Sequence, residues 1–326
     1  MAPPALRGHD ASVAGDAPVR YRSGVMDNIR WQQFSARAGD IIISTPPKSG
    51  TTWMQMICAL LIFQRTTFDR SLDLISPCLD MQTRALADVL ADLEAQEHRR
   101  FIKTHTPLDG LRVDPEVTYI CVGRDPRDVA ISWAHFQDNI DVQALFTARD
   151  RAVGNEDLAA LYRDWEPAPT DPLDRFWFWV DGSAAGDVAR VSLASTMHHL
   201  ATFWAVRDRP NIVLVHYADL QSDLDGEIRR IAQRLGIDID DDLLPDLVAA
   251  AGFDAMRERA DEVAADSSQG LWHSNRAFFR SGSNGQWREL LDEAGQRRYA
   301  ERVRQLAPPD LIEWAHHGPI GTLVAG

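Results

Sequence analysis

A lysine, a glycine and several hydroxyl side chains are gathered in Ser44-Thr-Pro-Pro-Lys-Ser-Gly-Thr-Thr-Trp53, between apolar runs at 41–43 and 54–63. That order reads as a buried strand, a tight loop and then a helix. Such a loop aims backbone N–H groups, a helix N-terminus and the Lys48 ammonium at one point, which suits a phosphate. It differs from the nucleoside-triphosphate loop G-x-x-x-x-G-K-S/T, because Lys48 precedes Gly50 and no glycine opens the loop. The expectation is a phosphate cradle not built for ATP or GTP.

Phe101-Ile-Lys-Thr-His-Thr-Pro107 sets Lys103 and His105 two residues apart at the end of a strand-like run. On extended chain such residues share a face. An imidazole there can take a proton from an attacking hydroxyl, while the ammonium steadies negative charge on the group in transit. A lone histidine is usually structural, but the lysine and the strand end favour chemistry here. The other histidines, His198 and His199 among them, lack that setting and read as surface or core-edge groups.

In Gly123-Arg-Asp-Pro-Arg-Asp128, Asp125 is placed as a helix N-cap and Pro126 in the first turn. Arg124 then stands at the mouth of the turn, with Ser132 about two turns further on. A guanidinium and a hydroxyl near a helix start suit a second phosphate. The alternative is an arginine paired with Asp125 or Asp128. Arg280-Ser-Gly-Ser-Asn-Gly-Gln-Trp287 has the composition of an anion clamp: glycines, one arginine and many donors.

The elements that must position these groups are strand-like runs at 40–44, 100–103, 117–122 and 211–216. Each leads through turn residues into a helical pattern, the signature of an α/β fold with a parallel sheet and crossover helices. Ligands in such folds bind at the carboxyl ends of the strands, where Lys48, Lys103, His105 and Arg124 all fall. Between 136 and 195 the pattern is interrupted by Pro167, Pro169 and Pro172 and by the block Phe176-Trp-Phe-Trp-Val180. Residues 201–220 read as a return to strand, and 225–235 as a basic-faced helix ending near Gly236. Residues 271–286 read as a loop that closes over something. A helix over 287–306 is expected to stop at Pro308-Pro309.

The 326 residues suffice for one large α/β domain or two ordinary ones. A formal net charge of −14 argues against a nucleic-acid surface, so the few cations in these motifs look purposeful. Cys58, Cys78 and Cys121 are widely spaced and read as buried thiols in a reducing compartment. The longest apolar run, 56–63, is too short to cross a bilayer, and residues 1–30 hold no signal-peptide run. A cytoplasmic protein is expected, with a loosely ordered segment over 1–20 and a single domain over 21–320. No zinc-spaced Cys/His set and no acidic strand end suited to magnesium is present, so transfer assisted by a metal is not expected.

Taken together, these segments resemble the cytosolic-type sulfotransferases. Residues 45–53 resemble their 5′-phosphosulfate loop, 119–136 their 3′-phosphate element, Lys103-Thr-His105 their K-x-H catalytic strand and 279–287 their R-K-G-x-x-G-D-W cap loop. Val213-Leu-Val-His-Tyr-Ala-Asp-Leu220 also matches in type and position. The likeness covers roughly residues 25 to 315 and is nearest in look to actinobacterial glycolipid sulfotransferases, notably in F-I-K-T-H-T-P-L-D-G-L and Y-I-C-V-G-R-D-P-R-D. It implies a P-loop-nucleotide-kinase-like sulfotransferase fold, with 3′-phosphoadenosine 5′-phosphosulfate (PAPS) as donor and a hydroxyl or amine as acceptor.

Carried over residue by residue, the resemblance gives Lys48 and the backbone of Ser49, Gly50, Thr51, Thr52 and Trp53 to the 5′-phosphosulfate. Trp53 and Phe253 would sandwich the adenine. Arg124 and Ser132 would hold the 3′-phosphate, with Arg280 and the Ser281–Gly282 backbone. His105 would be the general base, Lys48 would steady the leaving oxygen and Lys103 the sulfonate. Three departures stand out: Ser281 replaces the cap-loop lysine, Met197 and Ala251 fall where adenine-contacting tyrosine and threonine are usual, and the K-x-x-x-T-V-x-x-x-E dimer motif is absent from 288–297. The competing readings are a P-loop nucleotide phosphotransferase and a nucleotide-binding module without turnover. Phe176 to Val180, Leu271, Trp272, Phe278 and Phe279 either line an apolar acceptor pocket, suiting a lipid or an aromatic alcohol, or belong to the core.

Overall fold

Mostly apolar runs build the sheet, as expected for strands covered on both faces, and the one charged residue within a strand is Lys103, next to the carboxyl end of its strand. The protein is described here by a computed structural model covering residues 17–161, 166–182 and 191–318. The first sixteen residues of the expected loose N-terminal segment lie outside the described residues. Strand β1 is Ile41–Ser44, β2 Phe101–Thr104, β3 Thr118–Gly123 and β4 Ile212–His216. All pairings are parallel, in the order β2-β1-β3-β4. The four expected strands are therefore present, each within a residue or so.

Alternate residues of each strand feed opposite layers. Ile41, Ile43, Ile120, Val122, Val213 and Val215 pack with the helices Thr51–Phe63, Leu224–Leu235 and Leu244–Ala251. Ile42, Tyr119, Cys121 and Ile212 pack on the other face against the helices Leu193–Trp204, Pro172–Val180 and Pro309–His317. The strands carry almost no exposed surface, so trimming even Ile43 to Val would cost about 1 kcal/mol. Register Ile43↔Lys103 and Ile43↔Ile120 aligns the carboxyl ends of β2, β1 and β3 side by side.

Three expectations change. Residues 201–220 are not a long strand: the helix Leu193–Trp204 occupies their start, capped by a reciprocal Ser192–Ser195 box, and only β4 is extended. The expected helix over 287–306 is two pieces, Trp287–Leu290 and Glu293–Arg304, because the Asp292 carboxylate caps the second by accepting from the Gly295 N–H at 2.7 Å. Pro309 does not merely stop that helix; it opens the next, Pro309–His317, where a missing N–H costs nothing. The helix Leu224–Leu235 ends at Gly236 in the left-handed conformation, as its position suggested.

Candidate active site

The loop after β1 turns tightly because Lys48 (φ 68°) and Gly50 (φ 108°) both adopt left-handed backbone. Only glycine takes φ 108° without strain, and a Cβ there would lie 3.0 Å from the Tyr217 ring. Gly50 then caps the helix Thr51–Phe63, whose first N–H groups face the loop. The sheet order puts this loop in the middle, with the end of β2 on one side and the end of β3 on the other.

A single cavity of about 1370 Å³ opens over these strand ends. Lys48, Gly50, Thr51, Thr52 and Trp53 line it from the loop, and Lys103 and His105 from β2. Arg124 and Ser132 line it from the β3 turn and the helix Pro126–Asp138, and Phe253, Arg280, Ser281 and Gly282 close it from the C-terminal third. Ser49 alone of the expected residues stays off the wall; its Oγ is buried with no hydrogen-bond partner among the described residues.

His105 is held by its backbone and its ring. Its Nδ1 lies 2.8 Å from the Thr45 carbonyl oxygen, which can only accept, so Nδ1 carries the proton and Nε2 is the basic nitrogen. Burial first, then the nearby Lys103 charge, lowers its pKa to about 3, so the ring is neutral at any ordinary pH. Asp80 fixes the segment beneath it. That carboxylate accepts from Thr104 Oγ1, from Trp31 Nε1, from Thr106 Oγ1 at 3.0 Å and from the His105 N–H at 3.2 Å. Burial raises the Asp80 pKa, and its donors oppose the shift.

Lys48 Nζ is sandwiched between the Phe136 and Phe278 rings, 4.5 and 4.3 Å from their centroids. Burial, then Arg124 and Lys103, lowers its pKa to about 7. Lys103 lies 3.9 Å from Asp266 Oδ2, and burial raises the pKa of that carboxyl. Arg124 donates at 3.1 Å to the carbonyls of Lys48 and Ser283 and stacks 4.2 Å over Tyr217. It does not pair with the nearby acids: Asp125 caps its helix and pairs with Arg127 at 2.7 Å, while Asp128 accepts from the Gly285 and Gln286 N–H groups. Among the described residues no carboxylate lies within ion-pairing distance of Lys48, Arg124 or Arg280, and Arg124 Nε is buried without a partner. Three basic groups with no carboxylate at ion-pairing distance, in a chain of net charge −14, fit a ligand with negative charge at two points.

One open reading resolves here, and the reading of two histidines needs correction. Phe176, Trp179 and Val180 belong to the core beside Leu193 and Trp287 and do not line the cavity, because the Pro172–Val180 helix turns that face inward. Leu271 is likewise fully buried, whereas Trp272, Phe278 and Phe279 do line the cavity. His198 and His199 are not incidental. Both line the cavity, and His199 places Nε2 3.1 Å from Ser44 Oγ at the end of β1. Met197 is buried in the core, while Tyr217, directly after β4, lines the cavity against Trp53 with ring centroids 5.2 Å apart. Its signal was present in the Val213–Leu220 match. Asp80 and Asp266 carried no signal, since only long-range packing brings them to the site, and Phe136 lay at the end of the matched 119–136 segment with no role marked. No group of three His, Cys, Asp or Glu side chains among the described residues could hold a metal ion.

Comparison with known proteins agrees with this geometry. The family model described as "Sulfotransferase domain" matches residues 38–309. The chain is 43% identical to a glycolipid sulfotransferase of Mycobacterium bovis, covering 93% of this chain and 95% of that one. It is 26% identical to rat sulfotransferase 1A1, covering 82% and 84%. Among solved structures, retinol dehydratase in complex with androsterone and the inactive cofactor PAP has a TM-score of 0.65 at 19% identity, covering 87% and 89%. A mouse sulfotransferase complexed with PAP has a TM-score of 0.59 at 19% identity, covering 85% and 87%. A P-loop-like α/β sheet with its lysine- and glycine-bearing loop, K-x-H strand end and arginine turn on one cavity, matched along most of its length, places this chain in the sulfotransferase domain family.

Proposed function

We propose that the protein transfers the sulfonate group of PAPS to a hydroxyl of a lipid-like acceptor, by in-line displacement with His105 as general base. The observation that carries this reading is a neutral His105 whose proton is pinned on Nδ1, in the same cavity as Lys48 and Lys103. Nε2 takes the acceptor proton as the acceptor oxygen attacks sulfur. Lys103 then steadies the sulfonate oxygens, and Lys48 the phosphate oxygen that leaves. These basic groups support the donor: the loop and Lys48 hold the 5′ end, and Arg124, Ser132, Arg280 and the Ser281–Gly282 backbone hold the 3′-phosphate. Trp53 and Phe253 flank the adenine, with Tyr217 beside Trp53. The lipid-like acceptor is supported by the glycolipid sulfotransferase relatives and by Phe278, Phe279 and Trp272 on the cavity wall. We assign the protein to the cytoplasm on its three unpaired, buried thiols.

His105→Ala tests the reading. Transfer falls by about 10²- to 10⁴-fold, while the dissociation constant for 3′,5′-diphosphoadenosine stays within about twofold. Equal loss of both would remove His105 from its role. Because the His105 pKa lies near 3 in the ligand-free protein, the wild-type kcat/KM shows no histidine limb between pH 5 and 8. Stabilisation by Mg-ATP rather than by the diphosphate would favour a phosphotransferase instead.

A further inference from the structure

The cavity wall carries a second polar cluster, separate from the residues assigned above to the donor. Tyr21, Asp109 and His198 come from three distant parts of the chain and all line it. The Tyr21 hydroxyl donates to Asp109 Oδ1 at 2.7 Å. A hydroxyl has one proton, so it accepts from His198 Nε2 at 2.8 Å, and that nitrogen also lies 3.2 Å from Asp109 Oδ2. Burial pulls the Asp109 pKa upward, but the bonds from His198 and Tyr21 hold it below the usual carboxylate range. The carboxylate offers more acceptor sites than these two donors use, and the side chains of His198 and Asp109 remain 51% and 35% exposed.

The surroundings are small or apolar. Ala194, His198 and Ala201 follow at helical spacing on one face of the Leu193–Trp204 helix, with Leu111 and Leu306 also on the wall. Asp109 comes four residues after His105, within about 14 Å along the chain. An acceptor-rich cluster beside a small, apolar helix face fits a molecule with a hydroxylated head and a hydrocarbon tail.

Resting on the acceptor reading above, we propose that Tyr21, Asp109 and His198 form a subsite for the carbohydrate hydroxyls of a glycolipid. They hold its sugar beside His105, while the chain follows the alanine face of the Leu193–Trp204 helix. The binding constants of octyl β-glucoside and of 1-octanol to the full chain, with and without 3′,5′-diphosphoadenosine, test this. The wild type prefers the glucoside by at least about tenfold, and Asp109→Ala lowers that preference by about 10- to 100-fold, as loss of a charge-assisted hydrogen bond should. Tyr21→Phe keeps the ring and lowers the preference in the same direction, so it decides the matter if Asp109→Ala fails to fold. Equal wild-type affinity for the two probes, or folded variants that keep the preference, overturns the subsite. Failure of the wild type to bind the diphosphate would instead overturn the donor reading, and the glucoside preference of the nucleotide-free protein would still judge the subsite.

Discussion

Lys48 gives the site a pH lever whose direction and size follow from its surroundings. Burial, Arg124 and Lys103 bring its pKa from 10.5 to about 7 in the ligand-free protein. A bound anion restores the charged form, so between those two values nucleotide binding takes up a proton. Affinity is therefore full below about pH 7 and is lost as pH rises. One such ionisation weakens 3′,5′-diphosphoadenosine binding about tenfold per pH unit, or about 50-fold between pH 7 and 9. The second ionisation of a phosphate, near ~6, is essentially complete over that window and does not supply the trend. Calorimetry in buffers of different ionisation heat should show about one proton taken up per nucleotide at pH 8. Lys48→Arg keeps its cation throughout and should bind with little pH dependence. The ligand-free protein moves the other way: its unfolded chain holds the Lys48 proton that the native state releases, so this group's contribution to stability improves from pH 7 toward 10. A wild-type dissociation constant that stays flat from pH 7 to 9, or an arginine variant with the same slope as the wild type, would falsify this account of Lys48.

Gly282→Ala should weaken diphosphate binding by about tenfold or more, because its φ is 61° and the new Cβ would lie 2.5 Å from the Phe253 ring, displacing either the cap loop or that ring. Fluorescence titration reads the change, and unaltered affinity would remove the cap loop from the donor site. Cys58 and Cys78 are buried with pKa values pushed up to about 12, and burial raises Cys121 as well. Ellman's reagent should therefore leave all three thiols of the native protein unreacted over minutes and titrate them in denaturant. Rapid native labelling of any of them would contradict that burial.

Much of the chemistry was legible along the chain because it rests on local rules. A strand followed by a lysine- and glycine-bearing loop fixes backbone N–H directions by itself, and Asp125-Pro126 announces a helix start that the structure keeps. Lys103 and His105 share a setting because a strand alternates its faces. What the sequence left open depends on which distant segments touch. The block Phe176 to Val180 looked equally fit for a pocket or a core, and only the packing of its helix against Leu193 and Trp287 decided for the core. His198 and His199 have no local mark; they join the site because their helix lies beside the turn that follows β2. Asp80 is 25 residues from His105 in sequence and meets its N–H through folding alone. The Lys48 pKa is likewise absent from the loop, since the rings and cations that set it come from three other segments. Residue type and spacing determined which groups could react, because those follow from covalent geometry. Burial and charge, which set their protonation and their partners, are properties of the assembled fold and were decided only there.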